Sequence, residues 1–313
     1  MIRLGVQTWG IDVAALDRYW RAADGLGYAR VTYGDGLWGF THDGWTMLAV
    51  LASVTRHARV GPAVTYGFDP SSHHPSWLAK RAVTVDHLSA GRLDLRLGLG
   101  ADDRATAAVW RSHGIAYPPL PERIARLEET VEIVTGLWRG TLLRHRGTTY
   151  VLDHPELSPR PVQRPGPPIW IAAMRPAGLA LAARHADGWE ASYVTPRKVE
   201  ALWAGLARRL AAAGRAPDTF GRSVELDVAL VESRAAAGAA LAGFCAARGI
   251  AADHPVAATV LAGDAVTVAE RIAAYAAAGA TDLMLGFTDF PSTRMLERFA
   301  TQVTARLPAA VVR

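Results

Sequence analysis

The sequence predicts an α/β fold, a (β/α)8 barrel with insertions, as one domain over residues 1–313. Three observations predict it. Strand-like runs alternate with helical stretches along the chain, which calls for a parallel sheet covered by helices. Eight such strand–helix units fit into 313 residues, the number and length that close a barrel. Half of the residues are hydrophobic, enough for one sizeable core, and no linker, repeat or low-complexity tail divides the chain.

The first strand spans residues 3–8, and its helix runs over 13–26 and stops at Gly27. The second strand, 29–33, leads through the loop 34–43 into a helix through Met47 and Val54. The third strand covers 59–65, and the polar loop 67–73 returns to a helix opened by Pro75, whose missing N–H costs nothing there. Leu78, Val85 and Leu88 share one face of that helix, and Ser89-Ala90-Gly91 ends it. Leu93, Leu95, Leu97 and Leu99 then alternate with Arg92, Asp94, Arg96 and Gly98, a period-two strand. Residues 101–120 are too long for a simple connection and read as a lid.

Pro121 starts a helix that turns Ile124, Leu127, Val131, Val134 and Trp138 inward. Residues 142–152 hold Arg146-Gly147-Thr148 between apolar flanks and read as a hairpin insertion. The fifth strand (168–172) and its helix (176–185) follow, then the sixth strand (189–193) with its helix (196–213), and the seventh strand (224–231). The Ala-rich helix at 234–248 is an insertion. Asp264 caps the next helix, which ends at Gly279. The eighth strand is 282–287, and a closing helix covers 292–307.

This phasing makes an independent prediction. If the leucines of the fourth strand and Leu226, Val228 and Leu230 of the seventh face the helices, then Asp94, Arg96, Glu225 and Asp227 point into the barrel. Buried charges must be paired, so Arg96 is expected to bridge interior carboxylates.

The composition narrows the function classes. A net charge of +5 and a pI of about 9.6 are compatible with nucleic-acid binding, but the arginines are scattered and only Lys80 and Lys198 are lysines. Cys245 is the only cysteine, which excludes an intramolecular disulfide and a cysteine-based metal site. No apolar run reaches membrane-spanning length and the first residues lack a signal peptide's apolar core, so a soluble cytoplasmic protein is expected.

Three runs carry a family resemblance: His74-Pro75, Asp86-His87-Leu88-Ser89-Ala90-Gly91-Arg92 and Gly98-Leu99-Gly100; Arg160-Pro161-Val162-Gln163-Arg164-Pro165 through Ile171, with Ala186-Asp187-Gly188-Trp189; and Pro121-Glu122-Arg123 through Gly136-Leu137-Trp138-Arg139-Gly140. In this order they resemble the luciferase-like monooxygenase family, flavin- and coenzyme F420-dependent oxidoreductases of the TIM-barrel fold. The resemblance implies that fold for nearly the whole chain.

It also implies a site at the C-terminal strand ends. Relatives often carry a histidine after the second strand beside an acidic residue. Asp35 matches the acid, Gly36 stands where the histidine would be, and His42 is shifted from it, with plain surface solvation as its alternative. Asp35 would hydrogen-bond a cofactor ring or accept a proton, or shape a Gly-Asp-Gly turn. Relatives that bind F420 often have a non-proline cis peptide backing the deazaflavin ring, and the matching bond is Ala63–Val64, with an ordinary trans strand as the alternative. Of His73 and His74, one would cap the helix and one, taken as His73, would line the cofactor entrance; no third ligand suggests a metal.

Some relatives use an acidic proton donor after the fourth strand. Ala101 takes that position, leaving Asp102 as the candidate, with helix capping as the alternative for Asp102 and Asp103. The family's phosphate site maps to Ala173, Met174 and Arg175 at a helix start. Trp189 is either core or cofactor wall. The catalytic candidates are therefore Asp35, His42 and Asp102. The cofactor candidates are Ala63, Val64, His73, Ala173, Met174, Arg175 and Trp189.

The implied function is an oxidoreductase or monooxygenase acting on a small organic substrate. It would use F420 for hydride transfer at C5, or reduced FMN for oxygen activation, and work as a homodimer without nucleic acid or membrane. The alternative is a non-catalytic flavin-binding barrel that has lost its proton donor, which Gly36 and Ala101 favour. Tyr33, Trp38, Phe40, Tyr66 and Phe68 either wall a pocket or pack on each other.

Overall fold

The structure is a computed structural model and describes residues 1–69 and 73–308, so the loop expected at 67–73 lies partly outside the described residues. In chain order the elements begin with β1 (Arg3–Thr8), α1 (Val13–Gly25), β2 (Arg30–Tyr33), α2 (Gly44–Val54), β3 (Arg59–Pro62), β4 (Thr65–Tyr66) and α3 (Pro75–Leu88). Next come β5 (Leu95–Gly98), α4 (Arg104–Ser112), α5 (Leu120–Arg139), the antiparallel hairpin β6 (Arg144–Arg146) and β7 (Val151–Asp153), β8 (Ile169–Ala172) and α6 (Pro176–His185). The chain continues with β9 (Gly188–Ser192), α7 (Pro196–Ala212), β10 (Gly221–Leu230), α8 (Ala237–Arg248), β11 (Leu261–Gly263), α9 (Ala265–Ala277), β12 (Asp282–Phe287) and α10 (Arg294–Arg298).

Helix starts follow local chemistry. Asp12, Asp43, Asp103, Thr195 and Asp264 each accept from a backbone N–H in the first turn of α1, α2, α4, α7 and α9. His74 caps α3 through its ring, just ahead of Pro75. Four expectations need correction. The third strand is broken at Ala63–Val64 into β3 and β4. The 101–120 connection is no open lid, because α4 sinks Trp110 beside Phe68 and Tyr117. β11 is an additional strand. The closing helix stops at Arg298 and continues as a π turn over Phe299–Val303, with Phe299 and Val303 buried.

By their contacts the residues form two compact units, Met1–Thr8 with Asp12–Val31 and Glu190–Arg313, and Trp9–Ile11 with Thr32–Trp189. In the first, β12 lies between β1 and β10, both parallel to it, and β11 adds to β10. Asp282, 1% exposed, accepts from Arg3 at 2.8 Å and pairs with Arg30. In the second unit β5 lies between β4 and β8, parallel to both, and α3 packs on α5. No helix of the described residues is long and apolar enough to cross a membrane.

None of the four charged side chains is exposed. Asp94 and Arg96 are buried beside the buried leucines of β5, and Asp227 is buried in β10, with Glu225 half-buried. Asp94 accepts from Arg59 Nε at 2.7 Å, Arg96 lies 4.9 Å over the Trp170 ring, and Asp227 takes its cation from Arg248 of α8, at 2.8 Å. Burial, with the charge of Glu190 behind it, lifts Glu225 to about 7. Burial also lifts Asp227 to about 6, against the opposing pull of Arg248.

Candidate functional site

The second unit gathers most of the predicted site residues at the C-terminal ends of β2, β3, β4, β5 and β8, where a barrel of this kind carries chemistry. Asp35 lies two residues beyond the end of β2 and is 5% exposed. Its Oδ2 accepts from Thr65 Oγ1 at 2.5 Å, and Thr65 Oγ1 in turn accepts from Trp45 Nε1 at 3.1 Å. Burial raises the Asp35 carboxyl, partly offset by His73 and the Thr65 hydrogen bond. His73 Nε2 faces the same Oδ2 at 3.7 Å. His73 Nδ1 is buried with no hydrogen-bond partner among the described residues. Asp35 therefore faces a buried histidine whose second nitrogen has no hydrogen-bond partner among the described residues.

Position 36 has a steric reason to be glycine. A Cβ there would come within 2.6 Å of Trp38 Nε1. Trp38 stacks on Phe40 with ring centres 6.1 Å apart, and Trp9 meets Phe40 edge-on at 6.0 Å. His42 points away from this cluster, with its backbone N–H donating to Tyr33 Oη at 2.8 Å and its Nε2 2.9 Å from the Ile11 carbonyl, on the exposed surface. Of the expected aromatic wall, Tyr33 and Phe68 are fully buried, whereas Trp38, Phe40 and Tyr66 keep exposed surface.

The Ala63–Val64 peptide bond is cis, the geometry that the resemblance implied. Across the site, β8 ends at Ala172, and α6 starts with Arg175 as N-cap and Pro176 in its first turn. No side chain caps this helix, so its first N–H groups remain for an anion. Met174 is exposed. Asp102 is exposed and sits between Arg123 at 3.2 Å and Arg175 at 3.3 Å. Asp103 is the α4 cap. Trp189 has no exposed surface, and its indole N–H donates to the Ala173 carbonyl at 2.5 Å, bracing the end of β8 from within.

The structure thus brings together Asp35, His73 and the Ala63–Val64 bond, and sets Asp102 beside Arg175. His42 stands apart on the surface. Thr65 and Trp45 were missed, and a hydroxyl three residues beyond the third strand's end at Pro62 gives no sequence signal of its own. A groove of about 630 Å³ lined by Trp77, Lys80 and Leu157 holds none of these residues.

Comparison with known proteins shows the family to which the chain belongs. The model of the luciferase-like monooxygenase family matches residues 3–282. The F420-dependent hydroxymycolic acid dehydrogenase of Mycobacterium tuberculosis is 31% identical over 198 residues, which make up 63% of this chain and 52% of that protein. The alignment therefore spans about half the length of that relative. The coenzyme F420-dependent tetrahydromethanopterin reductase of Methanopyrus kandleri superposes with a TM-score of 0.82 at 18% identity, over 98% of this chain and 99% of the other. The oxygenating constituent of 3,6-diketocamphane monooxygenase from Pseudomonas putida, in complex with FMN, gives 0.76 at 17% identity, over 98% and 99%. These likenesses show the fold, a (β/α)8 barrel with insertions.

Proposed function

Because the chain belongs to the luciferase-like monooxygenase family, we infer that it is an oxidoreductase that binds F420 or reduced FMN and acts on a small organic substrate. F420 is the better fit, because the relative reported above at 31% identity carries it in its name, whereas the structure in complex with FMN is 17% identical. The residues present suit such a group. The uncapped first turn of α6 offers N–H donors for a cofactor phosphate, with Ala173, Met174 and Arg175 around it. The single observation that carries the reading is the buried His73 Nδ1, unpartnered beside a buried carboxylate at the strand ends.

When bound, F420 would supply a carbon that exchanges hydride, and reduced FMN would supply oxygen activation. The protein's own part is binding, orientation and proton handling. His73 holds or takes a proton at Nδ1. Asp35 positions the ring from the Nε2 side, and Thr65 with Trp45 fixes Asp35. Trp38, Phe40 and Tyr66 present neutral surface that keeps water from the reacting region. The same reading takes the protein as a cytoplasmic homodimer with a small-molecule substrate. The buried, unpaired Cys245 is in keeping with a reducing compartment.

A second reading has its own observation. The Trp38 ring fills the space where a side chain at 36 would stand, which favours a non-catalytic binder. Side-by-side absorbance and fluorescence titrations with F420 and FMN, followed by turnover assays, separate the two. Tight binding with cofactor reduction or oxygen use supports the oxidoreductase. Tight binding without either supports the binder, and binding of neither cofactor ends both readings.

A further inference from the structure

The groove of the second unit that holds none of the residues used above has a chemistry of its own. It runs between the first turns of α3 and the segment 155–158 that follows β7, with Leu137 of α5 beneath it, and encloses about 630 Å³. A space of that size admits a small organic molecule.

Its walls are set before any ligand arrives. α3 packs on α5, and Trp138 of α5 donates its indole N–H to the Ala79 carbonyl of α3 at 3.2 Å. Lys80 of α3 donates to the Ser158 carbonyl, which ties the opposite wall to the helix. Leu137 and Leu157 are buried along the groove, whereas Trp77 is 65% exposed. So much indole surface left in water is costly, and here it borders an apolar hollow.

The polar groups of the lining are mostly donors. Lys80 forms no ion pair with a carboxylate among the described residues. An ammonium has three N–H donors, and the Ser158 carbonyl takes one of them. His74 Nδ1 accepts from the Ser76 N–H at 3.3 Å, and burial lowers the histidine's pKa, so the neutral ring carries its proton on Nε2 as a further donor. Glu156 is the one acid of the lining, and it is exposed, so solvent screens its charge.

This lining selects its occupant. Buried leucines facing an exposed indole suit a flat ring. An unpaired ammonium among neutral donors suits a single negative charge. An ion without a ring would leave the apolar surface wet, and a cation would meet Lys80 with like charge.

We propose that this groove binds a small aromatic carboxylate, with its ring against Trp77, Leu137 and Leu157 and its carboxylate on Lys80. The site is separate from the Asp35–His73 pair and does not depend on the oxidoreductase reading.

Lys80 and Lys198 are the only lysines of the chain, so a full-length sample labelled with ¹³C-lysine shows two side-chain Cε signals, and Lys198→Arg assigns them. 2-Naphthoate should shift the Lys80 signal saturably and leave Lys198 in place. 2-Naphthalenemethanol, which keeps the ring without the charge, and acetate, which keeps the charge without the ring, should each bind at least tenfold more weakly. Trp77→Ala, a change at an exposed position, should weaken naphthoate about tenfold, and Glu156→Gln should not weaken it. No saturable Lys80 shift, equal affinity for acid and alcohol, or a loss on Glu156→Gln overturns the proposal. So does a Lys80 signal that moves on dilution without ligand, which would assign the groove to a second copy of the chain. Naphthoate displaced by F420 or FMN would lie in the cofactor's place and overturn it as well, whereas the absorbance of F420 or FMN on the same samples reports separately on the cofactor reading.

Discussion

Asp86 and Gln163 hold each other at two points. Asp86 Oδ2 accepts from the Gln163 backbone N–H at 3.0 Å, and Oδ1 accepts from Gln163 Nε2 at 2.8 Å. The Val162 N–H adds a third bond at 2.7 Å. The runs that carry the family resemblance are therefore physical partners. Asp86 is fully buried at the end of α3 and pins the segment that feeds β8. Asp86→Asn keeps the shape but loses the charge-assisted bonds, each worth about 1.5–3 kcal/mol. Thermal unfolding of Asp86→Asn should show a destabilisation of about 3 kcal/mol. A melting temperature equal to wild type would contradict this role.

The glycine at 36 and the tryptophan at 38 share one space. Gly36→His alone should be destabilising, because the new side chain must displace a ring stacked on Phe40. Gly36→His combined with Trp38→Ala should recover most of the loss. Denaturant unfolding of the two variants gives the comparison, and a double variant no better than the single one would refute the shared-space account.

If Asp35 positions His73, the two residues act as a unit. His73→Gln and Asp35→Asn should each lower turnover roughly 100-fold, leave the cofactor dissociation constant within about threefold, and flatten the same limb of the pH–rate profile. The double variant should be little worse than either single one. Additive losses, or unaltered pH profiles, would show that the two do not cooperate.

Glu225 gives a pH prediction with a definite sign. Its folded value is raised to about 7 from 4.5, so the folded state holds the proton more tightly than the unfolded chain does. The associated stability is complete below pH 4.5 and is lost as the pH rises through 7. Glu225→Gln should abolish this decline and be more stable than wild type at pH 8, by about 3 kcal/mol at most. Parallel stability curves for the two proteins between pH 5 and 8 would show that burial does not perturb this carboxyl.

Glu129 behaves in the opposite way. Burial alone would raise it, but hydrogen bonds from Thr148, Tyr150, His145 and Thr149 hold it down at about 2. Its contribution is present above its ordinary value of 4.5 and fades as the pH falls toward 2. Glu129→Gln should loosen the β6–β7 hairpin at neutral pH, read as faster amide exchange at Thr149 and Tyr150, and should erase the difference from wild type near pH 2. Unchanged exchange would mean that the hairpin is held by other contacts.

The chain by itself determined the elements that local rules can fix. Asp264 announces a helix start, Pro75 opens α3, and the alternation through Leu93, Leu95 and Leu97 marks a strand whose Asp94 and Arg96 are buried. These signals lie within a few residues of what they specify. Arg92 was visible as a motif residue but not as a staple, whose guanidinium donates to the carbonyls of Ala52, Thr55 and Ser89, up to 40 positions away.

What only the tertiary structure decided is which polar groups share a dry space. Asp35 and His73 are separated by 38 positions, and no spacing rule links them. His42, closer in sequence to Asp35, turns to the surface instead. The long α8 connection, readable only as an insertion, delivers Arg248 to Asp227. Periodicity states which side of a strand a residue faces. Hydrogen-bond partners in a low-dielectric interior are set by the neighbouring strands that face the same side, and those neighbours exist only once the chain has folded.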